Sequence, residues 1–496
     1  MYSPSLKEFL KLSQKGNVIP VYKEVNADLD TPVSAFLKIC GGDYAFLLES
    51  VEGQEKTARY SFLGGNPELV FQSKGKNIQI IYPQKKSARR FVSPSDPLSE
   101  IKKLMKDFKA IAPKGLPRFY GGLVGYIGYD MVRFFEDIPD KNPDDLNVPD
   151  STFILTDTIL IFDHINHTIK IVNNVILPKE RPGLSTAQRK KIYNQALKKI
   201  EAIQRDFDKA IVEQKAKAVF KPHKIRLESN FSKAEFQDIV KQAKNYIRRG
   251  DIIQVVLSQR IKTKIRTCPF SIYRNLRSLN PSPYMFFLKL KDVYLIGASP
   301  EMLVRCEEGS VQTRPIAGTR GRGKSEEEDK RLADELLRDI KERAEHIMLV
   351  DLGRNDLGRI SRPGQVRVSE FMNVEKYSHV MHLVSEVKGV LNNKYDSYDV
   401  LRACFPAGTV SGSPKIRAME IIDELENTRR GPYAGSVGYF SFSHNMDTCI
   451  TIRTILIKGN TAYIQAGAGI VADSLPEKEY FESMSKARAL IEAIAS

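Results

Sequence analysis

Thr152-Phe153-Ile154-Leu155-Thr156-Asp157-Thr158-Ile159-Leu160-Ile161-Phe162 is a run of β-branched, aromatic and aliphatic residues, and after a short turn Thr168-Ile169-Lys170-Ile171-Val172 repeats the composition. Such residues suit a pleated surface with a buried face. Tyr44 to Leu48 and Ile78 to Tyr82 read the same way, again bounded by turns and charged stretches. A doubly wound sheet requires strand and helix to alternate. This half of the chain lacks that rhythm, so an α+β fold is expected.

Downstream the pattern changes. Between Leu177 and Lys224 lies a Lys- and Gln-rich stretch in which Ile192, Leu197, Ile200 and Ile203 recur at helical spacing after a turn containing Pro and Gly. It reads as a connecting helix dividing a region 1–225 from a region 226–496. The second region opens with Ser232 as N-cap and Glu235 three residues on, a capping box.

The chain has 496 residues, 42% of them hydrophobic, enough for a sizeable core. Cys40, Cys268, Cys306, Cys404 and Cys449 are odd in number and far apart, which suggests neither a disulfide framework nor a zinc knuckle and fits a reducing cytoplasmic setting. No apolar run is long enough to span a bilayer, and the N-terminus lacks the apolar core of a signal peptide, so neither secretion nor membrane insertion is expected. A net charge of +16 raises a nucleic-acid partner as the rival class, but no nucleic-acid motif accompanies it. A solvated basic surface that also draws anionic substrates accounts for the same charge, so no nucleic-acid partner is expected.

Gly318-Thr319-Arg320-Gly321-Arg322-Gly323-Lys324-Ser325 satisfies the P-loop expression in the wrong context. The next residues are Glu326-Glu327-Glu328-Asp329, which would repel a triphosphate, and Ser325 with Glu328 reads better as a capping box. Two carboxylate pairs are more informative. Glu342 and Glu345 lie three apart on an expected helix, as do Glu479 and Glu482 on another, so each pair projects from one helix face. Such pairs are common on solvated faces; converging from two helices they would need a divalent cation between them, and hard oxygen ligands favour Mg2+. His379 and His382 imitate a chelate, but Val380-Met381-His382-Leu383-Val384 is strand-like, and residues three apart on a strand face opposite sides. His382 is then either a core histidine or a general base tuned by burial. Phe405 to Pro414 is a small-residue loop running into a helix, with Ser413 as N-cap and Pro414 at N1, and its free N–H groups suit a carboxylate. Gln465-Ala466-Gly467-Ala468-Gly469-Ile470 offers similarly close backbone approach.

Seven segments together resemble the chorismate-utilising enzymes over nearly all of the second region: GASPEMLVR from Gly297, RPIAGTRGRG from Arg314, EHIMLVDLGRND from Glu345, VMHLVSEV from Val380, FPAGTVSGSPK from Phe405, RGPYAGSVGY from Arg430 and QAGAGIVADS from Gln465. The resemblance implies large β-sheets packed together and flanked by helices. It implies that Glu345 and Glu482 ligate Mg2+ beside Glu342 and Glu479, and that the cation binds the ring carboxylate of chorismate. Gly318, Thr319, Tyr433, Arg453, Gly467, Gly469 and Lys486 would hold the substrate, with Thr409 in the loop that closes the site. Glu301 resembles the acid that protonates the departing ring hydroxyl, and His382 the residue that assists removal of the ring proton as pyruvate leaves.

Within the family, members that use water resemble one another in a lysine where this chain has Gln254, which cannot deprotonate water. Those forming aminodeoxychorismate typically carry lysine where this chain has Ala317. Direct amination of chorismate to anthranilate is therefore the expected activity, with aminodeoxychorismate formation as the alternative. Glu49 and Ser50, with Pro283, Tyr284 and Met285, resemble the tryptophan feedback site of the family. No cysteine has the Gly-flanked setting of a glutamine-hydrolysing nucleophile, so a separate glutamine amidotransferase subunit is the implied partner.

Overall fold

The run that opens at Thr152 does not stay in one sheet. In the computed structural model, whose described residues are 1–496 other than 28, 51–58, 179–183, 208, 210–224 and 378–379, it forms two strands, Ser151–Thr156 and Thr158–Asp163, which part at Asp157 and enter different sheets. Asp157 pins the crossing. Its carboxylate receives Lys199 Nζ and, at 3.3 Å, Asn173 Nδ2, while its carbonyl accepts the Asn174 N–H at 2.6 Å. Both strands are buried almost throughout, so the apolar run has no polar alternation to mark where one ends and the other begins.

Among the described residues the sheets have thirteen and twelve strands, and their ladders are antiparallel. In the larger, Tyr44–Glu49 lies between Tyr60–Gly65 and Tyr284–Leu290, placing Glu49 opposite Met285. In the other, Gly122–Ile127 lies between Ser151–Thr156 and Ser436–Ser441. Regions 1–225 and 226–496 are thus each represented in both sheets. The main core is where the sheets meet: Phe46, Phe62 and Phe286 from one pack with Val70, Phe153 and Val437 from the other. The outer face of the larger sheet is covered by helices, whose Phe36, Ile200, Tyr273 and Leu490 meet Leu47, Phe287 and Ile296. This is the α+β architecture expected. Among the described residues no helix is long and apolar enough to cross a membrane.

The helix starts follow the local chemistry with two adjustments. Thr186–Phe207 is the connecting helix, with Ile200 buried and Ile192, Leu197 and Ile203 partly buried against the same core. Ser232 and Glu235 form the reciprocal capping box of Lys233–Arg248. At Glu326–Arg338 Ser325 accepts the Glu328 N–H at 3.2 Å, but the Glu328 carboxylate reaches back to the Lys324 N–H rather than to the cap residue. Ser413 is not an N-cap: it pairs with Gln254 in the larger sheet, and the helix begins at Lys415. A residue before proline is biased to extended backbone, and here the sheet uses it.

Candidate active site

Where the inter-sheet space opens toward helices Ile340–Gly358 and Pro476–Ala495 lies a cavity of about 600 Å3. All four glutamates line it: Glu342 and Glu345 from the first helix, Glu479 and Glu482 from the second. Glu345 Oε1 accepts from Gln254 Nε2 at 3.2 Å, and Glu482 Oε1 is paired with Lys486 Nζ at 2.8 Å. Burial, reinforced by Glu345, raises the Glu342 pKa; burial and Glu482 raise that of Glu479. Among the described residues no three acidic, histidine or cysteine side chains sit close enough to enclose a metal.

The strand Ile316–Gly321 brings Gly318 and Thr319 to the same cavity, and Val380–Val390 brings His382. His382 Nδ1 lies 2.8 Å from the Gly318 carbonyl and 3.1 Å from Thr319 Oγ1. A carbonyl only accepts, so Nδ1 carries the proton and Nε2 keeps its lone pair. Burial lowers the His382 pKa and keeps the ring neutral. Gly318 has φ +62°, and a Cβ there would stand 2.9 Å from Leu336 Cδ1 and 3.2 Å from Glu342 Oε2, so glycine is what lets this turn approach the helix. The imagined partner His379 lies outside the described residues.

Glu301, only 7% exposed, follows the strand Val293–Ser299. Burial pushes its pKa up to about 8, against a hydrogen bond from Thr409, whose hydroxyl lies 3.1 Å from each carboxyl oxygen. Its neutral form can therefore donate a proton near neutral pH. Opposite, Arg453 Nη1 reaches the Lys486 carbonyl at 2.6 Å, and among the described residues no carboxylate lies within ion-pair distance of it. Lys486 Nζ also touches the Gly467 carbonyl at 3.1 Å, and Tyr433 and Gly469 complete the wall. Every catalytic, substrate and metal position expected from the sequence thus faces one cavity.

A second cavity of about 380 Å3 collects Glu49, Ser50, Pro283, Tyr284 and Met285. It also contains residues the sequence reading missed. Arg305 Nε and Tyr284 Oη both bond Asp447, at 2.9 and 3.0 Å, with Arg118 3.4 Å from the same carboxylate. They come from separate strands and loops, so no local spacing marks them. Pro300 and Ile316 line both cavities.

Two glutamate pairs, an arginine, a lysine, a buried acid with a raised pKa and a buried histidine on one cavity are the furniture of an enzyme site for a small polar substrate. The chain belongs to the chorismate binding enzyme family, whose model matches residues 45–492. Its place within that family is given by proteins named anthranilate synthase component 1. One from Aquifex aeolicus (strain VF5) is 50% identical over 99% of this chain and 97% of its own length. Another, from Acetivibrio thermocellus, is 48% identical over 100% and 99%. The solved anthranilate synthase component I of Streptococcus pneumoniae TIGR4 superposes with a TM-score of 0.77 at 37% identity, covering 94% of this chain and 99% of that one. The menaquinone-specific isochorismate synthase of Escherichia coli, at 19% identity and a TM-score of 0.70, shares the fold.

Proposed function

We propose that this chain is the chorismate-aminating component of an anthranilate synthase, converting chorismate and ammonia to anthranilate and pyruvate. The observation that carries this reading is the convergence, on one cavity, of a buried acid with a pKa near 8, a histidine locked in its Nδ1–H tautomer, and two glutamate pairs. Gln254 disfavours water as the nucleophile, because its amide, with Nε2 used on Glu345, cannot take a proton from water, whereas ammonia needs no such base to attack. Ala317 offers no amine nucleophile, so ammonia would attack the ring directly.

The donor set fits Mg2+. Glu345 and Glu482, with Glu342 and Glu479 beside them, line the one cavity and would supply the hard carboxylate oxygens that Mg2+ prefers. When bound, Mg2+ supplies charge neutralisation for the ring carboxylate of chorismate. Arg453 and Lys486 offer the remaining positive charge to the substrate's carboxylates, and Tyr433, Gly467, Gly469, Gly318 and Thr319 shape the walls. As ammonia adds, Glu301 gives its proton to the departing hydroxyl; as pyruvate then leaves, His382 Nε2 takes the ring proton.

Ammonia would come from glutamine through a separate cytoplasmic amidotransferase, since no cysteine of this chain has the setting of such a nucleophile. The second cavity is the candidate tryptophan site, with Glu49 and Ser50 for the amino-acid end and Pro283, Tyr284 and Met285 for the indole. The deciding experiment is conversion of chorismate by the purified chain with ammonium and Mg2+, with and without chelator, and chromatographic identification of the product. Chelator-sensitive anthranilate supports the proposal; aminodeoxychorismate or isochorismate overturns the choice of reaction, and unconsumed chorismate overturns the site.

A further inference from the structure

Behind the active-site wall lies a charged pair that the reaction, as described above, does not use. Arg430 and Glu426 are 2% and 4% exposed. Arg430 Nε and Nη2 bond the two Glu426 oxygens at 2.9 and 2.6 Å, and Glu426 Oε1 also accepts from the Ser258 N–H and hydroxyl, each at 2.8 Å. Two further donors of the fork reach backbone carbonyls: Nη1 that of Val410 at 2.6 Å, Nη2 that of Val256 at 2.7 Å. The guanidinium carbon lies over the rings of Tyr129 and Tyr433, 4.8 and 5.6 Å from their centroids.

Burying such a pair is weak as a source of stability, because desolvating both charges consumes most of what their attraction returns. Its geometry has a more specific consequence. Val410 closes the short turn Gly408–Val410 that carries Thr409, and Val256 belongs to the strand Gln254–Lys264 against which that turn sits, its own N–H bonded to the Ser411 carbonyl at 2.9 Å. A single planar group thus ties the turn to the sheet, while Thr409 at its centre holds both oxygens of Glu301.

We propose that Arg430, oriented by Glu426, is a positioning residue that fixes the Gly408–Val410 turn so that the Thr409 hydroxyl stays on the Glu301 carboxyl. The inference rests on the reading of Glu301 as the acid. Arg430 does not line the large cavity; it reaches the cavity wall through Val410, Val256 and Tyr433, and among these only Val410 belongs to the turn that carries Thr409. A lysine keeps the charge but not the fork, so it cannot hold two carbonyls and a carboxylate at once.

The donated hydrogen bond favours the charged form of Glu301, so its loss raises the pKa further. The other charges near Glu301 stay in place. Lys486 acts on it from helix Pro476–Ala495; His382, Arg453, Tyr433, Lys341 and the glutamates Glu342, Glu345, Glu479 and Glu482 line the same large cavity, and Asp356, paired with Lys415, and Cys404 line the small cavity behind.

The test is a double-mutant cycle of R430K and T409V, read as the pH dependence of kcat with ammonium and Mg2+. Each single variant is expected to move the alkaline limb upward by about half a pH unit or more, with the double variant moving no further than T409V. If R430K does not fold, E426Q takes its place in the cycle with the same expectation. A limb at the wild-type position in R430K, whatever its Tm, or additive shifts in the double variant, overturns the positioning role. An unmoved limb in T409V does so too. If wild type itself shows no limb that E301Q removes, the failure lies with Glu301 as the acid rather than with Arg430.

Discussion

In the proposed reaction Glu301 and His382 carry the proton chemistry in complementary states, Glu301 kept protonated by burial and His382 kept neutral by it. Glu301 must be protonated to act, so turnover is expected to fall as pH rises through about 8, the value to which burial pushes it. The same shift makes a stability prediction. The folded chain binds this proton more tightly than the unfolded chain, so the contribution is fully present below the ordinary value of 4.5 and is lost as pH rises through about 8. Calorimetry over that window is expected to show the Tm of wild type falling with pH more steeply than that of Glu301→Gln; parallel curves would contradict the raised pKa. His382 makes a different prediction, because its Nδ1 is committed to Gly318 and only Nε2 is left to take the ring proton. His382→Asn is expected to cut anthranilate formation by roughly 10²- to 10⁴-fold while the aminated, pyruvyl-bearing intermediate accumulates, visible by chromatography. Both residues were named from sequence, and burial was one reading of His382, but the groups they touch were not. The burial of Glu301 and the Gly318 carbonyl opposite His382 are contacts between strands distant in the chain.

At the scale of elements, helices Ile340–Gly358 and Pro476–Ala495 do the most for the site, each presenting two glutamates one turn apart to the same cavity. Spacing predicted each pair, since residues three apart share a helix face. It did not predict that the faces oppose one another, which depends on the strands between. Replacing Glu345 by Gln should remove a cation ligand and raise the Mg2+ concentration for half-maximal activity, by more than the ~10- to 100-fold typical of residues that only orient ligands. A titration unchanged from wild type would remove Glu345 from the cation's shell. The run from Thr152 to Phe162 shows where element reading stops: composition identified extended, buried chain, but only the competition between sheets for its two halves decides the break at Asp157. Ser413 is similar. Its sequence suits a cap, and pairing with Gln254 claims it for the sheet.

Across the molecule, the two cavities share the wall made by Pro300 and Ile316, with Glu301 on one side and Met302 on the other. If tryptophan occupies the second cavity, its effect on chorismate must be matched by an equal effect of chorismate on tryptophan, since coupling between binding sites is reciprocal. Calorimetric titration is expected to show tryptophan binding weakened by chorismate by the factor, roughly 5- to 150-fold, by which tryptophan weakens chorismate binding. Glu49→Gln, at a carboxylate held by Arg277, should lose tryptophan binding with chorismate binding kept. Simultaneous independent binding would exclude the coupling. Local forces made four things legible from the residues alone: the α+β class, the capping box at Ser232, the glutamate pairs on their helix faces, and the motif positions that meet in one cavity. Which segments share a sheet, how deeply Glu301 is buried, and that Arg430 reaches across to Val256 and Val410 emerge only in the folded chain. Those are long-range contacts, and their energies depend on what the rest of the chain has already excluded from water.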